Sequence, residues 1–141
     1  MLKILVPIDA SRNADHALKQ DVNVFKNNPD MEIHLLNFQP PFSRHIAQFI
    51  GRKTRHSFHR DEAKKVLRPA KQFIERFGVP CLAHFAVGRK ATTIVDTAHS
   101  LRCNRIVTST ARKNSLARML KDSTTNKVLE QTRVPVEIIA G

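Results

Sequence analysis

The chain has 141 residues, enough for one domain with its own core and no need of disulfide or metal staples. Lys and Arg number 24 against 12 Asp and Glu, so the formal net charge is +12, a balance that favours association with anions, nucleic acid included, and says nothing about fold. Phe is the sole aromatic and the cysteines are only two, Cys81 and Cys103, which excludes a disulfide framework and predicts reduced, buried thiols. Neither a basic leader with a long apolar stretch nor an apolar run near the roughly 20 residues of a bilayer span is present, so a cytosolic protein is expected.

Leu2 to Ile8 is an almost unbroken apolar run ending in Asp9, the pattern of a central parallel strand covered on both faces. Ser11 or Asn13 can cap the helix that follows, in which Ala14, Ala17, Leu18, Val22 and Phe25 recur at helical spacing. Asn27-Asn28-Pro29-Asp30 breaks it, Glu32 to Phe38 reads as a second strand, and Pro40-Pro41 stops that strand. From Phe42 to Ser57 there is neither clean periodicity nor a strand signature, which predicts a long basic connection. A helix is expected from about Phe58 to Phe77, with Val66, Leu67, Ala70, Phe73, Ile74 and Phe77 on one face. Pro69 should bend or split it, because the ring removes a donor and clashes with the preceding turn, and Gly78 should end it.

Val79 to Val87 is the third strand, and Gly88 turns into a helix carrying Ala91, Ile94, Val95, Ala98 and Leu101. Arg105 to Thr108 is a fourth strand, followed by a polar run from Ser109 to Lys121, a helix from about Ser123 to Thr132 and a last strand over Val134 to Ile139. The alternation of strands and helices implies right-handed crossovers and a single doubly wound α/β domain over 1–141 with a parallel sheet. In such sheets a ligand sits beyond the carboxyl ends of the strands where the strand order reverses, with phosphate at a helix N-terminus.

These residues carry a family likeness. Ile4-Leu5-Val6-Pro7-Ile8-Asp9-Ala10-Ser11 resembles the ILVPVDGS start of universal stress proteins, and His34-Leu35-Leu36-Asn37-Phe38 resembles their second strand, HLLHV. Val87-Gly88 with Ala91 and Ile94 is similar to the family's third-strand turn, and Ser123, Lys127, Val128, Leu129, Pro135 and Val136 match its closing GSVxxKVLxxxxxPV. The resemblance implies an open five-stranded parallel sheet of order 3-2-1-4-5, Rossmann-like and akin to the adenine nucleotide alpha hydrolases. It also implies a homodimer paired through the last strand, here Val134, Val136, Glu137 and Ile138.

The family has a branch that binds ATP through a loop of pattern G-x2-G-x9-G-[S/T] and a branch that lacks it. Laid on this chain, the pattern falls on Ser109, Arg112, Asp122 and Ser123, so all three glycines are replaced and only the final hydroxyl survives. Glycine there lets backbone amides approach phosphate and takes positive φ without steric cost; Arg112 and Asp122 put bulk and charge in its place. Asp9, a ribose or adenine contact in ATP-binding relatives, is equally suited to starting a turn through side-chain to backbone bonds, and Phe38, where relatives present backbone to adenine, reads as core. The expectation is therefore a non-enzymatic stress protein without ATP that works through partners. One alternative is a phosphate ligand held through Asp9, Arg112 and Ser123, with Arg112, Lys113, Arg118 and Lys121 as side-chain cations.

The basic segment from Arg44 to Arg68 is a second feature, either a solvated helix face or a weak polyanion and nucleic-acid footprint that lacks stacking aromatics beyond Phe49 and Phe58. His56 and His59 share a helical spacing but have no third ligand at a metal-site interval, while His34 and His84 read as hydrogen-bonded groups on strands. Glu137 interrupts an apolar strand face, which suits an edge strand. Asp122, one residue before the expected start of the last helix, is positioned to cap it as an internal anion where a phosphate would otherwise bind. A thermal-shift titration with ATP-Mg is expected to raise the Tm of Asp122→Gly more than that of the native chain; equal responses would remove the internal-anion reading.

Overall fold

The structure is a computed structural model that describes residues 1–8, 14–88, 90–110 and 132–140. Its elements are β1 (Leu2–Pro7), α1 (Ala14–Asn27), β2 (Met31–Gln39), α2 (Arg44–Ala47), α3 (Arg52–Glu75), β3 (Cys81–Val87), α4 (Lys90–Ser100), β4 (Arg105–Thr110) and β5 (Val136–Ala140). The five strands form one sheet of order β3-β2-β1-β4-β5 with every pair parallel, the order and sense expected from the family likeness. The helix expected over Ser123 to Thr132 falls outside the described residues except at its last residue.

Successive side chains of a strand point to opposite faces, so β1 divides the core in two. Ile4, Val6 and Ile8 join Ile33 and Leu35 of β2 under Leu18 and Val22 of α1 and Ala63, Leu67, Ala70 and Ile74 of α3. On the opposite face Leu5, Leu36, Phe38 and Ile106 pack against Ile94 and Ala98 of α4 and against Cys103. Burying one such Leu or Ile side chain contributes roughly 1.5–3 kcal/mol, so the two clusters hold the helices to the sheet. Both thiols are free, Cys103 buried and Cys81 half-buried, and burial pushes each up to about 11.

Two expectations about the basic segment are corrected. The stretch from Phe42 to Ser57 is largely helical: α2 is capped by the Ser43 Oγ, which accepts from the Ile46 N–H at 3.2 Å, and α3 already begins at Arg52. The first buried residue of α3 is His59, so its opening turns have no apolar stripe to reveal them and rest on the good helix propensity of Arg and Lys. Nor does Pro69 split α3, which runs through it as one element. Pro69 is exposed, and the buried Leu67, Ala70 and Ile74 around it hold the helix on the sheet despite the missing donor. Past the end of α3, Gly78 takes φ 75, a conformation glycine adopts at no steric cost.

The strand bounds also shift. β3 starts at Cys81 rather than Val79, β4 extends through Ser109 to Thr110, and β5 spans Val136–Ala140. Asn104 joins β4 to β1: its Oδ1 accepts the Lys3 N–H at 2.7 Å, and its own N–H donates to the Lys3 carbonyl at 2.8 Å.

One buried group works against the fold. Asp21, on α1, is 1% exposed, and its Oδ2 has no hydrogen-bond partner among the described residues. Desolvation, reinforced by Glu137 and opposed by Arg105, pushes its carboxyl up to about 8. A carboxyl that stays protonated in the folded chain and ionises when unfolded leaves stability intact below its ordinary value of 3.8 and erodes it as the pH rises towards 8. Asp21→Asn removes that titration. Its stability advantage over the native chain, measured by urea unfolding, is expected to grow by several kcal/mol, at most about 5, between pH 4 and pH 8; a pH-independent difference would show that Asp21 ionises normally.

Candidate functional site

The reversal of strand order lies between β1 and β4, which leave in sequence towards opposite edges of the sheet. At the carboxyl end of the neighbouring β2, polar groups are engaged with one another. Ile8 N–H donates to the Leu36 carbonyl at 2.7 Å, the buried Asn37 donates from Nδ2 to the Ile8 carbonyl at 2.9 Å, and Gln39 Nε2 donates to Asn37 Oδ1 at 2.7 Å. Asn37 thus ties β2 to the last described residue of the β1 segment. Residue-type patterns did not single out Asn37 or Gln39, although a polar pair at alternating positions in an apolar strand was the available signal.

Of the residues expected to meet a nucleotide, Phe38 is 7% exposed and belongs to the core on the α4 side. Ser109 is placed by its backbone within β4, where Ile139 of β5 is its partner, rather than at the start of a loop. Asp9, Arg112, Asp122 and Ser123 lie outside the described residues. Gly88, at the turn from β3 into α4, donates its N–H to the Gln39 carbonyl at 3.1 Å, and a Cβ there would stand 2.8 Å from Thr93 Oγ1. Glycine at this turn therefore allows a close backbone approach.

A second polar cluster spans the opposite end of β2 and β3. His34 Nε2 is 2.6 Å from Glu32 Oε1, and His34 Nδ1 is 2.9 Å from His84 Nε2 across the β2–β3 ladder. Burial, and then the neighbouring His34, lower the pKa of His84, which favours a neutral imidazole able to share one proton in this row. The hydrogen-bonded role expected for both strand histidines is thus the one observed. His59 is likewise buried, with Nε2 3.1 Å from the Pro40 carbonyl and its ring 4.9 Å from that of Phe42, while His56 lies against Phe85. Among the described residues no group of three or more His, Cys, Asp or Glu converges as a metal site would require, and no helix is long and apolar enough to cross a membrane.

The basic segment acquires a shape. Arg60, Lys64, Arg68 and Lys71 follow one another at helical spacing along α3 and border a groove of about 420 Å³. Its floor is Ala63, Leu67, Ala83 and Phe85, and Glu75 supplies its lone carboxylate. β3 is the strand at that end of the sheet, and its Leu82 and Val87 are 46% and 45% exposed. At the other end β5 is outermost, where the half-exposed Glu137 meets Arg105 at 3.5 Å. The edge position anticipated from Glu137 is therefore the one observed. The spacing of the α3 cations was visible in the sequence; their adjacency to an open strand edge depends on tertiary placement.

Comparison with known proteins agrees with this architecture. A universal stress protein of Methanocaldococcus jannaschii is 25% identical over 143 aligned residues, covering 97% of this chain and 81% of that protein. The solved structure of the hypothetical protein MJ0577 superposes with a TM-score of 0.73 at 24% identity, covering 99% of this chain and 95% of the other. A universal stress protein from Archaeoglobus fulgidus in complex with dAMP gives a TM-score of 0.69 at 22% identity, covering 99% of this chain and 98% of its own. The model of the Universal stress protein family matches residues 1–140, and with the sheet order and the strand motifs in agreement, the chain belongs to the universal stress protein family.

Proposed function

We propose that this chain is a non-enzymatic universal stress protein of the branch that does not bind ATP, a homodimer acting in the stress response through protein partners. The observation that carries the reading is the replacement of all three phosphate-loop glycines, by Ser109, Arg112 and Asp122. A nest of amides around phosphate needs backbone conformations and a close approach that side chains obstruct. Two further observations support it. Ser109 belongs to the β4–β5 ladder, and the polar groups at the end of β2 bond to one another through Asn37 and Gln39.

Dimerisation through β5 is supported by its place at the sheet edge, since an outermost strand leaves a row of backbone groups for another strand to pair. A second reading, nucleotide binding, is favoured by the dAMP complex of the Archaeoglobus relative and by the retained Asp9 and Ser123.

Calorimetric titration of nucleotide-stripped protein with ATP-Mg at physiological ionic strength separates the two. The expected outcome is no saturable heat; saturable binding would show that Arg112 and Ser123 substitute for a glycine nest and would transfer the chain to the nucleotide-binding branch. Light scattering of the same sample should give twice the chain mass, and a monomeric mass would remove the dimer.

A further inference from the structure

The open edge of β3 has a defined hydrogen-bonding phase. Ile33 N–H donates to the Pro80 carbonyl at 2.9 Å, and Gly88 N–H donates to the Gln39 carbonyl at 3.1 Å. In a parallel ladder alternate residues direct both backbone groups to the same neighbour, so Leu82, His84 and Ala86 bond towards β2. Cys81, Ala83, Phe85 and Val87 then turn their amides and carbonyls outward. No described strand pairs with them, because β3 ends the sheet.

Directly beside this edge runs the cationic groove. An added strand would place one row of side chains beneath α3, over Ala63, Leu67 and Phe85 and within reach of Arg60, Lys64, Arg68 and Lys71. Its other row would emerge on the opposite face of the sheet, beside the exposed Leu82. Arg60 to Lys71 covers about 17 Å of helix axis, which matches about five residues of strand.

Building on the partner-mediated role proposed above, we infer that the β3 edge is a docking site for an extended acidic segment of a partner protein, which adds to the sheet as a sixth strand. Backbone pairing to Ala83 and Phe85 supplies affinity, and the side-chain rows supply selection. Glutamates in the row facing α3 cover the apolar floor with their methylenes and bring their carboxylates to the cations, while apolar residues in the alternate row cover Leu82. The charge argument selects the occupant: Arg60 is paired with Asp61 at 3.6 Å and Lys71 with Glu75 at 3.7 Å, and Lys64 and Arg68, with no ion pair among the described residues, reject a basic strand and accept an acidic one. An oligonucleotide would answer the cations but would leave the outward amides and carbonyls of β3 without strand partners.

The test is fluorescence polarisation of a labelled peptide of about seven residues alternating Glu and Val, titrated with the full chain. The expected result is saturable binding that weakens with salt, is absent for a Lys and Val peptide, and falls at least tenfold in the double variant Lys64→Glu, Arg68→Glu. Ala83→Pro, which deletes an outward amide without touching the β2 ladder, should cause a similar loss, with circular dichroism checking that both variants stay folded. Absence of saturable binding overturns the inference, as does full affinity in folded Ala83→Pro. Displacement of the peptide by a single-stranded oligonucleotide at lower concentration than by unlabelled peptide would assign the groove to nucleic acid instead. A solution mass that halves on Ala83→Pro would assign the edge to a second copy of this chain. Peptide failure with ATP still silent removes only this docking site, whereas ATP heat removes the branch assignment whatever the peptide does.

Discussion

The structure depends on β1 being covered from both faces and paired on both sides. Ile4, Leu5 and Val6 are fully buried, with β2 on one side and β4 on the other. A strand so placed must be apolar wherever it is fully buried, here from Ile4 onward, and its alternation commits successive residues to separate cores. α1 and α3 can then lie on one face only, and α4 on the other. The pairing between β1 and β4 is short, Ile4 with Arg105 and Leu5 with Ile106, and the paired bonds between Asn104 and Lys3 extend it at the end where the strands enter the sheet. The crevice at the switch point is the other end of that same seam.

An open sheet leaves two edges, and this chain makes them chemically unlike. At β5 an anion and a cation, Glu137 and Arg105, meet at the surface. At β3 Ala83 and Phe85 lie beside a row of cations, and Leu82 is exposed on the opposite face. The excess positive charge of the chain is thus organised where α3 overlooks the sheet, and the helix that carries it is fastened from below by Ala63, Leu67, Ala70 and Ile74. Charge and core belong largely to opposite faces of one helix, which allows a basic surface to be rigid while Arg60, Lys64 and Arg68 stay exposed.

Most of the architecture was legible because the residues that make it repeat with a period. Leu2 to Ile8, the alternation in β2 and the Leu67, Ala70, Ile74 spacing each report a buried face, and the family motifs supply the strand order. What escaped was structure without an apolar period. The opening turns of α3 bury no residue before His59, so Arg52 to His56 resemble a loop in composition while forming a helix. Pro69 was read by its local effect, which exposure on the solvent side and packing on the other face outweigh. The candidate sites divide in the same way. Lost glycines and clustered cations can be read from residue types, but the Asn37 bridge to Ile8, the His34–His84 contact and the groove beside β3 each join residues far apart in the chain. Asp21 was equally invisible, because an acidic residue on an amphipathic helix looks solvated until packing removes its water.

The two thiols share one chemical consequence of their burial. Oxidants attack the thiolate, and with Cys81 and Cys103 each pushed up to about 11, only roughly one thiol in ten thousand is ionised at neutral pH. Lys71 beside Cys81 and Lys3 beside Cys103 pull in the opposite direction and are outweighed by burial. Peroxide therefore meets two thiols that are chemically quiet.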